Sequence, residues 1–118
     1  MTVSLDLQTL INNLITGLGQ DVFFVLITSE NGVVKKSYIN EEEFNKASIG
    51  LNVSQLYELA EEISESVGLQ PPDFNIIHTA NYYILSIKVL DFLIILLTED
   101  QIEINTVFQI INDTVAPS

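Results

Sequence analysis

Hydrophobic positions recur along this chain with two periods. Leu7, Leu10, Ile11, Leu14, Ile15 and Leu18 return every three to four residues, which predicts a helix over about residues 5 to 17. Ser4 suits its N-cap, Asp6 its first turn, and Gly17 and Gly19 its end. Val22 to Ile27 is continuously apolar and predicts a strand covered on both faces, hence central in its sheet. Ser29-Glu30-Asn31-Gly32 carries the Asn-Gly hairpin signal, and Val33 to Ile39 returns beside it. Lys35 and Lys36 mark that returning strand as a solvated edge.

The second half repeats these patterns. Asn40 and Glu43 have capping-box spacing and predict a short helical turn, broken by Gly50. Asn52 and Gln55 share that spacing and predict a second helix over about residues 53 to 67, closed by Gly68 and Pro71-Pro72. Three strands follow, at about 74–79, 82–89 and 92–97, with turns at Ala80-Asn81 and Leu90-Asp91. Thr98 and Gln101 are spaced to cap a last helix ending near residue 114, whose buried stripe is Ile104, Val107, Phe108, Ile111 and Val115. The order α-β-β-α-β-β-β-α, with short connections, predicts an α+β fold: a five-stranded antiparallel sheet with helices on both faces. The full chain, 1–118, reads as a single domain.

Charge narrows the function. Sixteen acidic residues face four lysines and no arginine, for a formal charge of −12. So few cations form no nucleic-acid footprint. Without cysteine, disulfides and thiolate metal sites are impossible. Met1 to Leu7 shows no basic leader pattern. Ile84 to Leu97 is too short for a membrane span and carries Lys88 and Asp91. We therefore expect a cytoplasmic acidic protein with no membrane insertion.

Candidate chemistry is thin. His78, the single histidine, shares a strand face with Phe74 and Ile76 and has no local proton relay. Gly17-Leu18-Gly19 precedes a strand instead of following one, so it reads as a helix stop and not a phosphate loop. Glu41-Glu42-Glu43 lacks the aspartate and glycine spacing of a calcium loop. No catalytic residue, metal ligand or cofactor is expected.

The middle helix carries the most information. With Leu56 as reference, Val53, Leu59, Ala60, Ile63 and Val67 fall within about 60° of it and Tyr57 lies at the margin. They read as a core stripe, with Glu58, Glu61, Glu62 and Glu65 on an acidic back. Counting Tyr57, the apolar arc is wider than the roughly 100° a surface helix needs, and the excess suits a second subunit. The strand at 74–79 reads as a bare edge able to pair with another chain.

The stretch Ile15-Thr-Gly17-Leu-Gly19-Gln-Asp-Val-Phe-Phe-Val-Leu-Ile-Thr-Ser-Glu-Asn-Gly32 resembles the opening of a Roadblock-type domain. Phe92-Leu-Ile-Ile-Leu-Leu-Thr-Glu-Asp100, entering a final helix, is similar to its closing part. The resemblance spans about residues 3 to 115, although the middle helix here is rich in glutamate where that family favours small residues. It implies a dimer built through the middle helix and the edge strand. Such dimers are platforms for small Ras-like GTPases, scaffold subunits or motor light chains. With helix angle, it places a self-interface at Val53, Tyr57, Ala60, Ser64, Phe74, Ile76 and His78. Glu58, Glu61, Glu62 and Glu65 would meet a partner. The expected function is a non-catalytic interaction module that biases a GTPase without an arginine finger. A small-ligand sensor of longin, profilin or PAS-like architecture is the alternative.

Overall fold

A computed structural model describes residues 3–39 and 44–117. Two short strands, β1 (Val3–Ser4) and β7 (Ala116–Pro117), pair antiparallel and tie the two ends of the described chain together. Between them lie helix α1 (Leu7–Leu18), a 3₁₀ turn (Gly19–Asp21) and strands β2 (Val22–Ser29) and β3 (Val34–Ile39). Helix α2 (Lys46–Ser66), strands β4 (Phe74–Thr79), β5 (Tyr82–Val89) and β6 (Phe92–Glu99), and helix α3 (Ile104–Thr114) complete the order.

The five main strands form one antiparallel sheet in the order β3-β2-β6-β5-β4. The apolar runs of β2 and β6 lie side by side inside it, as their composition requires. Alternation then divides the core. Val25, Ile27, Ile94, Leu96, Leu85 and Ile87 meet Leu10, Ile11 and Leu14 of α1 and Val107 and Ile111 of α3. On the opposite face Phe24, Leu26, Leu93 and Ile95 meet Val53 and Tyr57 of α2. Each fully buried aliphatic side chain contributes about 1.5–3 kcal/mol, so the sheet is held by helices on both faces.

Several helix starts differ from expectation. Asp6, not Ser4, caps α1: its carboxylate accepts the Thr9 N–H at 2.9 Å, and that bond holds the carboxyl below its ordinary pKa. Gly17 is still helical, and a Cβ there would overlap Ile110 of α3; Gly19, at φ +63°, ends the helix. Asn45 caps α2 by accepting the Ser48 N–H at 3.1 Å, so the helix starts well before Val53 and Gly50 lies inside it. The turn expected at Asn40 and Glu43, and the Glu41-Glu42-Glu43 run, lie outside the described residues. Thr98 stays in β6, fully buried, and α3 starts after Glu103 with no side-chain cap. The apolar run of β6 continues its ladder through Thr98, which pairs with both Val22 and Tyr83; the ladder outcompetes the cap.

Candidate interaction surface

Helix α2 sits closer to the sheet than its side chains alone would allow. Gly32, at φ +90° in the β2–β3 turn, and Gly50 of α2 lie back to back. A Cβ on Gly50 would meet the Gly32 carbonyl oxygen at 2.9 Å and methyls of Thr28 and Val34 at 3.3 Å. Only glycine permits that approach. The contact sets the rotation of the helix, turning Gly50, Val53, Ser54 and Tyr57 inward.

That rotation is about 110° from the one its hydrophobic stripe suggests. Tyr57 is 3% exposed, and its hydroxyl donates to the Pro72 carbonyl. Burial, with the charges of Glu61 and Asp73, pushes its pKa up to about 12. Val53 is buried beside it. These two of the seven residues expected at the self-interface are thus buried inside the domain, while Ala60 and Ser64 are half-buried at the helix flank. By contrast Leu59 is 51%, Ile63 57% and Val67 64% exposed, with Leu56 at the margin. Residues that read as core form the outer surface. A bulky aromatic with a satisfied hydroxyl is the better filler beneath α2.

The acidic residues separate as well. Glu58, Glu62 and Glu65 are exposed. Glu61 leans over the sheet, where Lys88 of β5 holds it at 3.3 Å and reaches Glu30 at 3.7 Å. Around that lysine a cleft of about 330 Å³ opens between α2 and the β2–β3 and β5–β6 turns. Lys88 and this cleft carried no signal in the sequence, because the elements lining the cleft are distant in the chain.

β4 is an outer strand of the sheet, as its composition suggests. Phe74, Ile76 and His78 share its α1/α3 side, and all three are exposed. Phe74 leans on Phe108 with ring centroids 4.9 Å apart. His78 packs against Tyr83, and its Nε2 lies 3.0 Å from the Asp100 carboxylate. The pair sits at the exposed edge of the sheet, with 55% of the His78 side chain and 26% of the Asp100 side chain open to solvent. Among the described residues no group of three histidine, aspartate or glutamate side chains gathers to hold a metal, and no helix is long and apolar enough to cross a membrane.

Neither a protein-family profile nor a curated protein sequence matches the chain. Solved structures do. MglB from Myxococcus xanthus superposes with a TM-score of 0.75 at 11% identity, covering 86% of this chain and 81% of that one. An MglB structure with a tetrameric arrangement gives 0.76 at 10% identity, covering 92% and 80%. A Roadblock/LC7 domain from Streptomyces avermitilis gives 0.71 at 13% identity, covering 84% and 86%. The chain has a Roadblock-type fold. Profilin II of Acanthamoeba castellanii, the same architecture more distantly, gives 0.56 at 13% identity over 90% of each chain. At these identities the likeness concerns fold alone, and the Roadblock-type geometry fits better than the profilin one.

Proposed function

We propose that this chain is a non-catalytic, single-domain docking module. It self-associates through α2 and β4 and presents the resulting surface to a small Ras-like GTPase in the cytoplasm. The observation that carries this reading is the outward apolar face of α2. Leu59, Ile63 and Val67 each leave half or more of their surface in water. A run of large aliphatic side chains on the outside of a helix marks an interaction surface. The Roadblock-type fold supports a second copy of the chain as its cover, and the tetrameric arrangement of MglB is in keeping with self-association.

Within this reading the self-interface is centred on Leu56, Leu59 and Ile63. Ala60 and Ser64 lie at its border, and Phe74, Ile76 and His78 lie along the paired edge strands. Val53 and Tyr57 support it from beneath. Glu58, Glu62 and Glu65 attract a basic partner surface, steering association in a salt-sensitive way. Having no arginine, the chain acts on a GTPase by ordering the GTPase's own residues.

Sedimentation of the full chain over a range of concentrations, followed by titration with small Ras-like GTPases at two salt concentrations, tests the proposal. A dimeric mass is expected. GTPase binding should weaken with salt and on neutralising Glu58, Glu62 and Glu65. A monomer at every concentration refutes the self-interface. Binding indifferent to both salt and neutralisation refutes the acidic docking face.

A further inference from the structure

The turn that seats α2 also holds Asn31, the one asparagine of this chain that precedes a glycine. Asn31 is exposed at the tip, whereas Gly32 is buried under the helix. With no Cβ on the following residue, the backbone nitrogen of Gly32 is sterically open to the side-chain amide carbon, Cγ, of Asn31. Three features keep the two from reacting. The Gly32 N–H donates to the Ser29 carbonyl at 3.0 Å and closes the turn. The Ser29 hydroxyl donates to Asn31 Oδ1 and accepts the Val33 N–H at 3.2 Å, which pins the Asn31 amide. Helix α2 roofs Gly32: a Cβ there would meet Ser54 Oγ at 2.5 Å, the Gly50 carbonyl oxygen at 2.9 Å and Leu51 Cα at 3.0 Å.

We propose that Asn31 is a site of spontaneous deamidation, that the seated α2 restrains the reaction, and that its isoaspartate product unseats α2. The Gly32 nitrogen bonds to Asn31 Cγ, and the bond from Cγ to Nδ2 breaks. The Gly32 amide proton passes through water to Nδ2, which leaves as ammonia, and a cyclic imide remains. Water then opens the imide at either carbonyl. One route leaves aspartate at position 31. The other leaves isoaspartate, with the main chain running through the former side-chain carbon. Nothing is oxidised or reduced.

The restraint follows from the geometry. An imide nitrogen carries no hydrogen, so ring closure forfeits the bond from Gly32 to Ser29. The new ring also turns the Gly32 peptide, and beneath α2 there is no room for that: a single added carbon would already overlap Ser54 and Gly50. The reaction therefore waits for the turn to open, and exposed turns lie at the low-stability end of local opening. The product reverses the relation. Isoaspartate lengthens the main chain immediately before Gly32, so Gly32 and Gly50 no longer meet back to back. It also adds a carboxylate to the hollow that Glu30 and Asp91 already line, where like charges repel. Because α2 carries the outward apolar face, an aged chain loses the orientation of that surface.

The full chain is aged in warm, mildly alkaline buffer, alone and in graded urea. Proteolytic peptides are then read by mass spectrometry, with aspartate separated from isoaspartate. In full denaturant Asn31 should convert ahead of every other asparagine. In buffer it should convert at least about tenfold more slowly, the factor for a turn closed by about 1.4 kcal/mol. The rate should climb with urea below the unfolding midpoint. Gly50→Ala, which crowds the Gly32 carbonyl, should raise the rate in buffer about fivefold, matching a loss of about 1 kcal/mol in the seat of the helix. The purified isoaspartate form should unfold at a lower urea midpoint than wild type and than Asn31→Asp, which adds the charge without the extra carbon.

Equal rates in buffer and in denaturant, or a folded Gly50→Ala variant that reacts no faster than wild type, overturn the restraint. The urea series carries that test alone where Gly50→Ala does not fold. An isoaspartate form as stable as Asn31→Asp refutes the unseating. Another asparagine converting first in denaturant removes Asn31 as the site. None of these readings needs a partner, so their failure leaves the docking reading of α2 standing.

Discussion

Ile63→Asp separates an outward apolar face that is merely solvated from one that holds two copies together. Ile63 is 57% exposed in the single chain. Fully burying an aliphatic side chain of this size is worth about 1.5–3 kcal/mol, so covering the remaining half contributes on the order of 1 kcal/mol. A twofold interface counts each position twice, giving about 2 kcal/mol. At 1.4 kcal/mol per tenfold, lost burial alone weakens dimerisation by about 30-fold. Two carboxylates forced into an apolar contact carry the effect beyond about 100-fold. Fold stability, read by urea denaturation of the monomer, should change by no more than about 0.5 kcal/mol, because the side chain belongs to neither buried cluster. Sedimentation equilibrium of wild type and variant reads the dissociation constant directly. An unchanged constant in Ile63→Asp refutes the placement of the interface on this face. Tyr57→Asp is the wrong probe, since it places a charge under the helix and reports unfolding.

Two further outcomes follow from the packing of α2. Gly50→Ala gains up to about 1 kcal/mol of helix propensity but drives a methyl into the Gly32 carbonyl; overpacking of 1–3 kcal/mol outweighs it, for a net loss of about 1 kcal/mol in urea, and a variant more stable than wild type would show that the helix can lift off the hairpin freely. Tyr57 has a folded pKa raised to about 12, so its contribution to stability is complete below pH ~10 and is lost as pH rises toward 12; melting temperature should therefore fall more steeply over that window in wild type than in Tyr57→Phe, and parallel curves would contradict the assigned environment.

Element order was legible because each strand and helix states its own period. The apolar runs of β2 and β6 could only be interior, and the lysines of β3 could only sit at an edge. The two-residue turns at Ala80-Asn81 and Leu90-Asp91 join the strands as their spacing implied, although Ala80 and Leu90 accept φ values of +49° and +55° without being glycine. Caps were read less well. Ser4, Asn52 and Thr98 each have the right chemistry at the right spacing, but Asp6, Asn45 and Glu103 stand at the true starts. A local cap is worth about 1 kcal/mol, and the strand ladder through Thr98, together with the packing that extends α2 back to Lys46, exceeds it.

The error about α2 has a single origin and leads to the functional argument. Gly50 reads locally as a helix breaker, so the residues before it drop out of the helical pattern. Removing them removes the anchor that sets the helix's rotation. What remains, from Val53 to Val67, has its strongest apolar direction through Leu56 and Ile63, and that direction looks like the core. Restoring Gly50 gives a second, narrower stripe of Gly50, Val53, Ser54 and Tyr57, whose members are small or can satisfy their own polar atoms. A helix needs only one inward stripe. Carrying two, with the stronger one facing water, is costly for a solitary domain and useful for one that meets a partner there. The third flank, lined by Glu58 and Glu61 beside Lys88, is neither core nor apolar. One helix therefore offers three differently built sides: one held by the sheet, one apolar and exposed, and one whose glutamates border the Lys88 ammonium.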